Sequence, residues 1–229
     1  MIPATPSAFL RYFRHYLVGP KSLSDGFDIR ARLFDVAGDP IGGGTALDFI
    51  VNPGRTTYEQ YEATTAPVEA PLPGFLVAWT SIEHDGSLTV RANFLSIAGA
   101  VVGDDELILP WSMGSDQFAA SAASDAADPL QTVVAVAWTT EPAPPPDGQV
   151  TAIAGVRVAV SSVDHRLTVL SVDDVLLNTT FPDVQETPSA AFGASGALAL
   201  VWTDWSGIDG SGGLNEVRAR YLSQGWVIE

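Results

Sequence analysis

Three apolar strands that end in Trp-Thr set the terms for this chain: FLVAWTS (Phe75–Ser81), VVAVAWTT (Val133–Thr140) and LALVWTD (Leu198–Asp204). An arginine-bearing strand follows each one: VRANFLS around Arg91, VRVAVSS around Arg157 and VRARYLS around Arg218. A fourth, IRARLFD around Arg30, lies upstream, so Arg30, Arg91, Arg157 and Arg218 stand 61, 66 and 61 residues apart. Every copy closes with a short strand: ALDFIVN (Ala46–Asn52), DELILP (Asp105–Pro110), DVLLN (Asp174–Asn178) and GWVIE (Gly225–Glu229). Elements that begin at Gln60, Gln117 and Gln185 and run through small residues precede the three Trp strands. Short strands at a regular period, joined by Gly-, Asp- and Pro-rich turns and without helical periodicity, predict an all-β chain. Four strands per repeat is the organisation of propeller blades.

The fold expected is therefore all-β, a small or partial β-propeller of four degenerate four-stranded repeats. The repeats cover residues 8–58, 59–115, 116–183 and 184–229. Residues 1–24 form an atypical first segment, and residues 25–229 form the repeat domain. VVAVAW and LALVW are near-continuous apolar runs, as strands buried on both faces require. Four repeats can close into a ring, form part of a propeller completed by another chain, or remain an open β-stack. The first repeat lacks its Trp and reads AFLRYFRHYLVGPK instead. That segment fits a strand, or a short helix capped by Ser7; the repeat favours the strand.

Charge narrows the partners. The 27 acidic residues outweigh 11 basic ones, for a formal net charge of −16. Binding a polyanion needs clustered Lys and Arg, so nucleic acid is excluded. No cysteine is present, which removes disulfides, thiol catalysis and zinc–thiolate sites. No apolar run reaches the ~20 residues of a membrane span. No classical signal peptide is seen, because Arg11 and Arg14 interrupt the apolar stretch Ala8–Val18.

The strands GFLVAWTS, DGFDIRARLFDVAGDPIGG, LDFIVN and DGSGGLNEVRARYL, with the Gln185-Glu-Thr-Pro188 start, resemble a family of tandem repeats. These are the propeller-like units of large bacterial exported proteins of the RTX and adhesin type. The resemblance covers the chain from Asp25 onward. It implies a surface or structural role, extracellular or at the cell surface, and implies no particular reaction; the lack of a classical signal peptide keeps a virion component open beside these.

Sites for chemistry are sparse. His15, His84 and His165 show no metal-binding spacing. No G-x-S-x-G elbow, phosphate loop or sialidase Asp box occurs. Calcium is the one cofactor the residues suggest: Asp209, Ser211, Asn215 and Glu216 lie in a Gly-rich loop that can offer several oxygens, the alternative being a solvated hairpin loop. Trp205, just beyond a Trp strand, is the candidate for stacking on a sugar, with burial under its loop the alternative. Phe9, Arg11, Phe13 and Arg14 form an aromatic, basic patch on an acidic chain and are the candidate partner-docking element, the alternative being a cap on the first repeat.

Together these features predict a non-catalytic binding or structural module of a surface or virion-like assembly, using rim loops to meet a protein partner or another copy of itself. A carbohydrate-binding, lectin-like propeller is the first alternative. A propeller-type glycosidase or lyase is the second; it requires two carboxyls across a cleft, and no pair stands out in the sequence.

Overall fold

The computed structural model describes residues 9–15, 28–35, 37–41, 49–53, 59–68, 73–97, 101–109, 117–128, 131–141, 151–161, 166–170, 175–178, 184–193, 197–207 and 215–222. All regular structure among them is strand. The strands fall into four antiparallel sheets taken in chain order. Sheet 1 holds β1 (Phe9–His15), β2 (Asp28–Phe34) and β3 (Phe49–Ile50). Sheet 2 holds β4 (Gln60–Val68), β5 (Gly74–Ile82), β6 (Leu88–Ser96) and β7 (Val101–Ile108). Sheet 3 holds β8 (Gln117–Asp128), β9 (Gln131–Thr140), β10 (Ala152–Ser161), β11 (Leu167–Val169) and β12 (Val175–Leu176). Sheet 4 holds β13 (Gln185–Phe192), β14 (Leu198–Asp204) and β15 (Glu216–Leu222). The expectation of an all-β chain holds.

Strand alternation places every second side chain on one face, and each sheet packs face to face on the next. Ile29, Ala31 and Val51 of sheet 1 meet Val77, Trp79 and Leu95 of sheet 2. Leu76, Ala78, Val90, Ala92 and Phe94, on the other face of sheet 2, meet Val134, Val136, Trp138 and Ala154 of sheet 3. Ala135, Ala137 and Ile153 meet Leu198, Leu200 and Trp202 of sheet 4. The three Trp side chains are thus buried between sheets, each turned toward the preceding one. Their burial against β-branched and small neighbours is the main source of cohesion.

Register defines the repeat more sharply than the sequence does. Trp79 opposes Arg91 and Trp202 opposes Arg218. In sheet 1 Phe13 opposes Arg30, so β1 is a strand and Phe13 occupies the Trp position. In sheet 3, however, Trp138 opposes Ala154, whereas Arg157 opposes Ala135. The alignment of Arg157 with the other arginines is therefore three residues out. The backbone carbonyls of Ile29, Val90 and Ile153 mark the true equivalence: they accept the N–H groups of Val51, Leu109 and Leu177 in the closing strands. Asn52 and Asn178 reinforce it, their side-chain oxygens accepting the N–H of Ile29 and Ile153.

Gly155 is required where it stands. A Cβ there would lie 2.7 Å from Leu177 Cδ1 and 2.9 Å from the Val136 carbonyl. Gly86, at φ +86°, completes the Asp85-Gly86 turn between β5 and β6, where Asp85 accepts from the Ser87 N–H and hydroxyl.

Candidate functional site

The strands β4, β8 and β13 begin at Gln60, Gln117 and Gln185, and β8 packs against both β4 and β13. In each of the three the pairing slips just after the Gln, between Tyr61 and Thr64, Phe118 and Ser121, and Glu186 and Ser189. These are β-bulges, which re-aim side chains and end regular pairing. Two of the bulged residues, Glu62 (φ 55°) and Thr187 (φ 52°), adopt the left-handed backbone without being glycine. Such a conformation costs about 1–3 kcal/mol, persists only where surroundings impose it, and concentrates at functional sites.

The surroundings are visible. Gln60 Oε1 accepts the Trp79 indole N–H at 2.6 Å, and its amide donates to Ser81 Oγ at 3.1 Å. Gln185 Oε1 accepts the Trp202 N–H at 2.7 Å, and its amide donates to Asp204 Oδ1 at 2.7 Å. Gln185 is further pinned by Thr151, whose hydroxyl both donates to the Gln185 carbonyl and accepts the Gln185 N–H, each at 2.7 Å. The bulge itself is held by the Thr187 N–H to Thr139 Oγ1 at 3.2 Å and by the Thr187–Thr203 hydroxyl pair at 3.0 Å. A buried Gln bridging a Trp to a polar residue on the next strand thus anchors the start of each of these two strands.

Acids at this end of the sheets divide into two groups. Glu83 pairs with Arg91 at 2.8 Å and accepts the Thr89 hydroxyl. Asp204 is buried and pairs with Arg218, which also meets Glu216 at 3.3 Å. Burial opposes ionisation of Asp204, but the Ser206 N–H at 2.8 Å, the Gln185 amide and the Arg218 guanidinium outweigh it. They hold its carboxyl below the ordinary value of 3.8. These acids are structural. Glu62 is exposed on its bulge, and Glu186, half-buried, accepts the indole N–H of Trp205 at 3.0 Å. Trp205 itself is 42% exposed. Glu186, Thr187 and Trp205 therefore gather at the head of β13, and Glu62 stands at the equivalent bulge of β4.

The sites expected from sequence fare differently. Trp205 is an exposed indole rather than one buried under its loop. Of the calcium set, Glu216 is engaged by Arg218 and Asn215 is exposed, while Asp209 and Ser211 lie outside the described residues. No group of three or more His, Asp or Glu gathers among the described residues. Phe9, Arg11, Phe13 and Arg14 are described as a strand paired with β2; their side chains lie outside the described residues. Glu62, Glu186 and Thr187 were missed in the sequence, although the recurrent Gln two residues before Glu62 and Thr187 is a usable signal.

No family model matches the sequence. No curated protein matches it either. Among solved structures, the chain is similar in fold to an endo-arabinase from Bacteroides thetaiotaomicron, with a TM-score of 0.53 and 11% identity, over 97% of this chain and 72% of that one. That neighbour is a glycosidase, and the likeness runs through nearly the whole chain. It runs against the expectation of a non-catalytic structural or virion module and the expectation that the chain is no enzyme; at 11% identity, what it shows of this chain is the fold. No helix among the described residues is long and apolar enough to cross a membrane.

Proposed function

We propose that this chain is a carbohydrate-active enzyme that cleaves glycosidic bonds, its four sheets serving as consecutive blades of a small propeller. The observation that carries the reading is the backbone likeness to an endo-arabinase over 97% of the chain. The stacking of sheets in chain order, with Gln-led strands gathered against one another, supports the propeller.

Glycosidic hydrolysis needs two carboxyls flanking the bond, one to protonate the leaving oxygen and one to activate water or attack the sugar carbon. Glu62 and Glu186 are the pair we assign. The competing acids Glu83, Asp204 and Glu216 are held by Arg91 and Arg218. Trp205 offers a face for a sugar ring beside the Glu186 carboxylate that its N–H holds. A net charge of −16 disfavours a polyanionic substrate, so the substrate class is a neutral polysaccharide.

The test is release of reducing ends from arabinan and a panel of other neutral polysaccharides. Cleavage that Glu62→Gln and Glu186→Gln each reduce by about two orders of magnitude or more supports the assignment. Binding without cleavage across the panel would return the chain to the lectin-like alternative.

A further inference from the structure

Both peptide planes that flank Glu186 are held by the preceding sheet. The Gln185 carbonyl accepts the Thr151 hydroxyl at 2.7 Å, and the same hydroxyl accepts the Gln185 N–H at 2.7 Å. On the far side, the Thr187 N–H donates to Thr139 Oγ1 at 3.2 Å. The Gln185 carbonyl and the Thr187 N–H belong to the two planar peptide units that meet at the Glu186 Cα. Fixing them fixes φ and ψ of Glu186, and with them the direction of its Cα–Cβ bond. Thr139 opposes Ile153 across β9 and β10, and Thr151 lies two residues before Ile153. Alternation puts all three side chains on the face of sheet 3 that receives sheet 4. Both threonines are buried, so water does not compete for their hydroxyls.

The clamp is particular to this junction. Registered on the Trp strands, the equivalents of Thr139 and Thr151 are Thr80 and Leu88 in sheet 2, and Arg14 and Phe27 in sheet 1. Leu88 and Phe27 carry no hydroxyl, and the buried Thr80 hydroxyl meets no hydrogen-bond partner among the described residues. A device that only held sheets together would recur at each junction. This one stands where the chain takes the strained Thr187 backbone, at φ 52°, and where the Glu186 carboxylate accepts the Trp205 indole N–H at 3.0 Å. The main-chain N–H of Trp205 donates in turn to the Val184 carbonyl at 3.0 Å, which ties the indole to the same clamped strand end.

We propose that Thr139 and Thr151 are positioning residues that hold Glu186, and through it the Trp205 indole, in the geometry that meets a sugar. The inference rests on the assignment of Glu186 to glycan cleavage made above. An acid or base must stand within hydrogen-bond reach of the atom it serves, and a displacement of about 1 Å costs about a hundred-fold in rate. The clamp sustains the strain at Thr187. Released at Thr151 or Thr139, the bulge relaxes toward regular pairing and turns Glu186 away.

Thr151→Val and Thr139→Val, each beside its serine counterpart, test it on the intact chain. Two readouts are taken: steady-state cleavage of arabinan or whichever neutral polysaccharide the native chain cleaves, and the indole N–H resonance of Trp205 in isotope-labelled protein, identified by its loss in Trp205→Phe. Thr151→Val lowers kcat about ten-fold or more, changes KM less than about two-fold, and shifts the Trp205 resonance. Thr151→Ser keeps the hydroxyl and with it the native kcat and resonance. Thr139→Val gives up one longer bond, shows the same pattern more weakly, and carries the test if Thr151→Val does not fold. A merely structural role lowers the thermal unfolding midpoint but leaves kcat and the resonance native in the folded valine variants, and that result overturns the proposal. So does a defect that the serine variants share. If the native chain cleaves no polysaccharide, the glycosidase reading fails on its own, and a Trp205 resonance unmoved in the valine variants overturns the clamp separately.

Discussion

The side-chain oxygen of Gln60 accepts the indole N–H of Trp79 at 2.6 Å, with both residues wholly buried. Gln185 and Trp202 repeat the bond at 2.7 Å. Gln60→Leu strands a buried donor, and the expected loss is about 1–3 kcal/mol in denaturant unfolding. Adding Trp79→Phe to Gln60→Leu removes the stranded N–H, so the double variant loses less than the sum of the two single variants. Strict additivity would mean that the bond contributes nothing.

Asp204 gives acid sensitivity with a defined sign. Its carboxyl is depressed in the folded state, so the stabilisation it supplies is complete above the ordinary value of 3.8 and is lost as pH falls through the lower, folded value. The unfolding free energy of the native chain therefore falls over that window. Asp204→Asn is less stable at neutral pH and shows a shallower slope there. A variant whose slope matches the native chain would remove Asp204 from the account.

Strain at the bulges separates stability from function. Glu62 and Thr187 occupy the left-handed region that glycine adopts freely. Thr187→Gly trades the side-chain contact with Thr203 against relief of that strain, whereas Glu62→Gly relieves strain on an exposed residue. Glu62→Gly is expected to cost at most about 0.5 kcal/mol, or to stabilise, while abolishing glycan cleavage. Thermal unfolding and the reducing-end assay, run on one preparation, check both halves.

In the proposed reaction Trp205 meets the sugar through its ring face, while its N–H holds Glu186. Trp205→Phe keeps the face and loses the bond; Trp205→Ala loses both. The expected pattern is a raised KM in Trp205→Ala and a smaller, kcat-centred defect in Trp205→Phe. Identical kinetics for the two variants would place Trp205 away from the sugar.

Gly155 sits where a methyl group would meet the Val136 carbonyl at 2.9 Å. Gly155→Ala forces β9 and β10 apart and is expected to cost about 1–3 kcal/mol by overpacking. Ala92, at the same position of sheet 2, marks the contrast: the side chain is tolerated there and buried.

How much of this was readable in the chain depends on the residue. The Trp-Thr strands announce themselves, since only a sheet buried on both faces accommodates VVAVAWTT. Phe13 as the fourth Trp-equivalent was hidden by the charges around it and emerged only from its pairing with Arg30. The misplacement of Arg157 has a plain cause: V-R-V copies the look of V-R-A, but register is fixed by Leu177 and Asn178 binding Ile153, which no local pattern encodes. The strained Glu62 and Thr187 carry no glycine to advertise them. Glu186 and Trp205 are brought together by strand pairing between β13 and β14, a relation invisible along a single strand.

The Gln–Trp bridge is also a clue to how such a chain came to be. It joins two strands of one sheet and asks nothing of the neighbouring sheets. A stretch of about 60 residues, the distance from Arg30 to Arg91, thus carries its own internal lock and offers the same two faces to whatever precedes and follows it. Gene segments of that length can be duplicated or dropped without redesigning the remainder. Ala154, standing where three other copies keep an arginine, shows one copy already released to drift.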